Sequence, residues 1–177
     1  AWRNGVAALV LFGALEQIAL PLPLTDLRPA PVYTQFAGDP GDFTILELPL
    51  GWRNSAATQG KLDVAAQFFQ SIHQKRLITG TVARAPQFKL QYYNELPVLN
   101  SLLALEAGQE LDAVRVALDR EAALEILRFF NIHHVIVHRA QTDPRVMAYA
   151  LQVFPLQEVY RDDKQILYRV TTALPSQ

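Results

Sequence analysis

Three of the chain's four histidines fall in one short stretch, "NIHHVIVHR" (131–139). Imidazoles at that density suggest either a metal site or an acid–base pair. The intervening Val135, Ile136 and Val137 set the geometry, because β-branched residues favour a strand. In a strand His134 and His138 share one face and His133 points to the other. Four residues of strand span roughly 13 Å. A single ion needs each ligand atom about 2 Å away. The H-x-x-x-H spacing that serves zinc requires a helix. No metal site is therefore expected here. His133 and His134 are expected at the amino end of the strand, close to water, with His138 and Arg139 at its carboxyl end.

The carboxyl end matters because open parallel sheets bind ligands beyond the carboxyl ends of their strands. If the strands run parallel, one cluster forms from Glu47 at the end of the first strand, Arg53 in its loop, Arg84 after the second strand, and His138 with Arg139 after the third. A carboxylate, an imidazole and guanidiniums suit an anionic or sugar-like ligand. Alternatively, Glu47 pairs with one of the arginines and ties loops together, as buried carboxylates usually do. Tyr92 and Tyr93 in "FKLQYY" either stack on a sugar or base, or pack in the core.

Other chemistries lack their residues. Ser55, Ser71, Ser101 and Ser176 have no G-x-S-x-G context, and the glycines form neither a P-loop nor G-x-G-x-x-G. There is no cysteine, which removes thiolate nucleophiles, disulfides and cysteine-ligated metals. No cofactor is implied. Sixteen basic and seventeen acidic residues leave a net charge of -1 without a basic stripe, so nucleic acid is not an expected partner.

The elements that must position these residues follow from periodicity. Phe43–Leu48 is a nearly continuous apolar run closed by Pro49, as in a strand buried on both faces, with Glu47 as its anomaly. "GWRNSAATQG" reads as a loop. In "KLDVAAQFFQSIHQK", Leu62, Ala65, Ala66, Phe69 and Ile72 recur at helical spacing. "RLITG" reads as a short strand parallel to the first. Val98–Glu106 is expected to be a short helix, and Asp119 to cap a helix over "REAALEILRFF" that stops at Asn131. After the histidine strand, Thr142 or Asp143 caps a helix with Pro144 in its first turn. Leu156–Tyr160 and Ile166–Val170 form a hairpin. The order predicts an α/β fold: a mostly parallel or mixed sheet with flanking helices and a C-terminal antiparallel β-hairpin.

Half of the 177 residues are hydrophobic and 19% are charged, enough for one real core. The expected organisation is an apolar arm (1–20), a proline-rich connector (21–41) with one helical turn near Tyr33–Ala37, and a single α/β domain (42–177). Val6–Leu20 is either the end of a membrane span or a covered apolar helix or strand. The chain opens at Ala1 and holds one methionine, Met147, so a processed product or an excised piece is expected.

Five segments in order, "ALPLPL", "GDFTILELPLG", "HQKRLITGTVARAP", "FFNIHHVIVHR" and "YRDDKQILYRV", resemble the C-terminal region of large bacterial polytopic membrane proteins of the glycosyltransferase-like GT-C class. The resemblance covers roughly residues 5–171. It implies that the arm abuts the last membrane span and that the body is membrane-attached on the extracytoplasmic face. It implies partnership with the membrane-embedded remainder of the same polypeptide, and with a glycan or lipid-linked sugar. The acidic catalytic residues of that class lie in an N-terminal loop absent from this stretch, so the domain is expected to be non-catalytic. The alternative is a self-contained soluble α/β small-ligand or nucleotide-binding module, or an enzyme, using the strand-end cluster.

Overall fold

The computed structural model describes residues 2, 4–6, 12–14, 28–36, 38–55, 57–84 and 86–171. Most of the expected apolar arm and the first part of the connector lie outside the described residues. Trp2, residues 4–6 and residues 12–14 are helical and exposed. No helix among the described residues is long and apolar enough to cross a membrane.

In chain order the elements are α1 (Pro31–Thr34), β1 (Thr44–Leu48), β2 (Gly51–Asn54), β3 (Ala57–Gly60), α2 (Val64–His73), β4 (Arg76–Leu77), β5 (Gly80–Val82), α3 (Gln87–Glu95), α4 (Leu99–Glu106), α5 (Ala113–Phe129), β6 (Ile132–His138), α6 (Pro144–Val153), β7 (Leu156–Arg161) and β8 (Gln165–Val170). The main sheet has the order β4-β1-β6-β8-β7. β4, β1 and β6 run parallel, whereas β8 is antiparallel to β6 and to β7. The fold is thus the mixed α/β arrangement that the sequence predicts, with its C-terminal hairpin.

Alternation divides the sheet into two faces. Leu46, Leu48, Val135, Val137 and Ile166 point to one face and pack against α4, α5 and α6. Ile45, Ile136 and Leu167 point to the other and pack against Val32, Tyr33 and Phe36 around α1 and against Phe69 of α2. Each such side chain contributes roughly 1.5–3 kcal/mol when fully buried. The last part of the segment read as a connector therefore supplies core residues: Val32 and Tyr33 are completely buried.

Three local expectations differ from the structure. "RLITG" is not one strand: Arg76–Leu77 forms β4 of the main sheet, and Gly80 opens β5 of a second sheet. "GWRNSAATQG" is not a loop but the β2–β3 hairpin of that second sheet, ordered β3-β2-β5. β3 is exposed at every position, so it carries no apolar alternation to announce itself. The hairpin closes on glycine: Gly60 has φ +66, and a Cβ there would sit 2.1 Å from the Leu50 carbonyl oxygen. Asp119 does not cap a helix. α5 starts earlier, where the Asp112 carboxylate accepts the Arg115 N–H at 2.7 Å. The first turns of α5 misled because Val114 and Leu118 are apolar yet exposed, which blurs the periodicity. Asn131 ends α5 as expected, in the left-handed conformation (φ 52).

Asp119 instead sits inside α5, buried, and joins three helical segments. One of its oxygens accepts the Val98 N–H at 3.1 Å just before α4, and the other accepts the Tyr149 hydroxyl of α6 at 2.7 Å. Burial, then the hydrogen bond to Asp119, pushes the Tyr149 phenol far up, so it stays a donor. Asp119→Ala leaves both donors buried and unpaired and is expected to cost about 1–3 kcal/mol in urea unfolding. Adding Tyr149→Phe to that variant should cost less than Tyr149→Phe alone, because the two residues share one bond. Strict additivity would contradict this assignment.

Candidate functional site

The chain leaves β1 through Leu50 and Trp52, which pack with α4, α5 and α6, and reaches α2 on the opposite face only after the β2–β3 hairpin. Open α/β sheets bind ligands in the crevice at the carboxyl ends of adjacent parallel strands such as β1 and β6. Glu47 and His138 lie there. Glu47 is 1% exposed and shares a face with Ile45, and His138 continues the Ile136 row two residues on. Their side chains meet, with His138 Nε2 2.9 Å from Glu47 Oε2. Gln165, the register partner of His138 on β8, extends the row onto a third strand.

Helical segments close over this row. The Tyr33 hydroxyl of α1 donates to both Glu47 oxygens, at 3.3 and 3.4 Å. Burial, then the Glu47 charge, pushes the Tyr33 phenol far up, which keeps it a donor. Asp63 caps α2: its Oδ1 accepts the Ala65 N–H at 2.9 Å. Its Oδ2 remains turned toward His138 Nδ1, at 3.7 Å. As a carboxylate Glu47 only accepts, so His138 presents Nε2–H to it. Nδ1 lies 3.3 Å from Gln165 Nε2 and beside the Asp63 carboxylate, so both ring nitrogens are met by protein groups. A carboxylate that fixes one imidazole nitrogen is one element of the arrangement general bases use, but here the other nitrogen is met by protein groups too.

The cavity beside this row measures about 820 Å³ and is lined by Asp63, Phe69, His138, Gln141, Gln165 and the Asp162–Lys164 turn, among others. Gln165 is 4% exposed, and its Oε1 has no hydrogen-bond partner among the described residues. Buried amide oxygens are normally satisfied, so this one is the anomaly of the row.

Of the expected cluster, then, Glu47 and His138 come together, and three arginines do not join them. Arg53 is on β2 in the second sheet and exposed. Arg84 lines a different cleft. Arg139 turns outward and donates to the Asp162 carbonyl at 3.0 Å, bracing the β7–β8 turn. Glu47 pairs with the histidine and not with an arginine. Sequence reading missed Tyr33, Asp63, Gln141 and Gln165. Asp63 had a usable signal, since a helix cap following the first strand of a parallel pair falls at the crevice. Gln165 became visible only through its register opposite His138.

The remaining histidines are structural. His134 is buried, not close to water, and sits between Phe36 and Phe43 with ring centroids 4.9 and 5.2 Å away. Burial, then Arg169, lowers its pKa to about 4. His73 stacks on Tyr33 at 5.6 Å, and burial, then Lys75, lowers its pKa to about 4. His133 stacks on Phe43 at 5.3 Å. Among the described residues no three His, Asp or Glu side chains are placed to hold a metal ion.

His73 and His134 make stability depend on pH. The unfolded chain takes up these protons near pH 6.5 and the folded one only near pH 4. The unfolded state thus binds more protons between those values, and stability rises with pH across the window. It is complete above about pH 6.5 and is lost as pH falls toward 4, by on the order of 3 kcal/mol per histidine. Urea titrations at several pH values should show that slope, and His134→Leu should flatten it. An unchanged slope in the variant would contradict burial of a neutral His134.

No family model matches this chain, and no curated protein or solved structure matches it significantly.

Proposed function

We propose that this chain is a non-catalytic extracytoplasmic accessory domain of a bacterial polytopic, glycosyltransferase-like membrane protein, and that its crevice binds a hydroxyl-rich, sugar-like ligand. The five-segment resemblance supports the setting. The carrying observation for the ligand is the buried Glu47–His138–Gln165 row that opens on the cavity with the Gln165 Oε1 unpartnered. The lining mixes acceptors, Asp63, Asp162, Asp163 and the glutamine amides, with two cations, Arg28 and Lys164. Hydroxyl groups both donate and accept, so a lining of mixed polarity suits them, and the volume suits a mono- or disaccharide. Phe69 adds an apolar wall.

One observation favours a second reading, an α/β enzyme acting on a hydroxylated substrate. His138 is held by Glu47 at one nitrogen and lines the cavity. Turnover of nitrophenyl glycosides or esters, abolished by Glu47→Gln, would replace the accessory reading with the enzymatic one.

Asp63→Asn separates binding from folding, because Asn caps a helix as well as Asp does. Neutral hexoses and their disaccharides should raise the melting temperature of the wild-type chain. Asp63→Asn should melt within a few degrees of wild type and bind the best sugar about tenfold more weakly, the loss of one charge-assisted hydrogen bond. No shift with any sugar, or equal affinity in the variant, would sink the ligand assignment. The membrane setting has its own check. Several apolar spans encoded ahead of Ala1 support it, and a start codon immediately ahead of Ala1 removes it.

A further inference from the structure

A second cleft, of about 620 Å³, lies beside edge strand β4 and shares no lining residue with the first. Its charge balance differs from that of the first cleft, where Asp63, Asp162 and Asp163 are mixed with Arg28 and Lys164. Arg76, Arg84 and Lys89 line the second cleft and no carboxylate does. Arg76 is already engaged by Asp42 at 2.8 Å. The Arg84 and Lys89 side chains have no hydrogen-bond or ion-pair partner among the described residues, so two cations stand uncompensated at one rim.

The floor is aromatic. Trp52 and Tyr93 stack at 5.4 Å, and Tyr93 and Phe130 at 5.9 Å, giving a run of three rings. The Trp52 indole N–H is consumed by the Ile78 carbonyl at 2.6 Å, so this floor offers an apolar surface there rather than a donor. Val82 and Phe129 line the cleft while 51% and 65% exposed. Apolar side chains left open beside unpaired cations form a surface with two demands, one for an anion and one for apolar contact.

We propose that this cleft binds an amphiphilic anion: a ligand with a phosphate, sulfonate or carboxylate head against Arg84 and Lys89 and an apolar body on Trp52, Tyr93 and Phe130. This goes beyond the sugar-binding reading and uses none of its residues. A neutral sugar would leave both cations unanswered, and a bare inorganic anion would leave the rings uncovered.

The probe is anilinonaphthalene sulfonate, a fluorescent amphiphilic anion, titrated onto the whole chain. Saturable binding with a blue-shifted emission is expected. Arg84→Glu/Lys89→Glu should weaken it at least about tenfold, since attraction becomes repulsion at exposed positions that carry no packing. Raising salt from about 0.05 to about 0.5 M should weaken wild-type binding, which tests the charge contribution even if the double variant misfolds. Dodecyl phosphate and adenosine monophosphate serve as competitors, and whichever displaces the probe better identifies an aliphatic or an aromatic body. Equal probe affinity in a folded double variant overturns the proposal. So does salt-independent binding, displacement by inorganic phosphate as effective as by either amphiphile, or displacement by neither.

Discussion

Glu47 is the constraint around which the sheet is arranged. A carboxylate near the carboxyl end of an apolar strand, 1% exposed, has lost its water and must recover those interactions from protein. It does so from two directions at once. His138 approaches from the neighbouring strand at 2.9 Å, and Tyr33 comes down from α1 to reach both oxygens. Removing His138 would leave the buried carboxylate short of a donor, which costs on the order of 1–3 kcal/mol or more. The β1–β6 register is therefore specified twice, by the apolar faces and by this polar contact. A shift of one residue would turn His138 to the opposite face and place an aliphatic side chain against the carboxylate.

That contact also explains the packing of α1. Four residues of helix have no stability of their own. Val32 and Tyr33 are nonetheless fully buried, Tyr33 stacks on Phe69 at 4.6 Å, and its hydroxyl is spent on Glu47. The short helix is an insert held by tertiary contacts, one polar and several apolar. The same insert forms part of the cavity wall through Pro31, so the device that neutralises Glu47 also shapes the space beside it.

What the sequence disclosed divides along these lines. β1, β6 and the C-terminal hairpin were legible because their apolar runs have the strand period and are bounded by breakers. Glu47 and His138 were legible as anomalies: polar residues in apolar strands, at the end where parallel sheets bind ligands. Arg53, Arg84 and Arg139 were misplaced because being near a strand end in sequence does not fix where a loop residue goes. β2 departs into a second sheet and takes Arg53 with it, and the β7–β8 turn claims Arg139. Tyr33 was invisible as a site residue, since no periodicity connects a helical turn before β1 with a carboxylate inside it. Asp119 was seen and misread. Its role comes from Val98 and Tyr149, 21 and 30 residues away, and helix periodicity carries no information about either.

Net charge describes the chain as a whole and not its individual clefts. A value of -1 says only that the charges cancel over the whole chain. In space they are unevenly placed. The crevice mixes Asp63, Asp162 and Asp163 with Arg28 and Lys164, while Arg76, Arg84 and Lys89 line a cleft beside β4 that no carboxylate lines. Electrostatic potentials fall off within about 10 Å at ordinary salt, so each cleft presents its own local balance of charge. A ligand carrying both hydroxyls and an anionic apolar segment would find its two halves recognised in separate places on this domain.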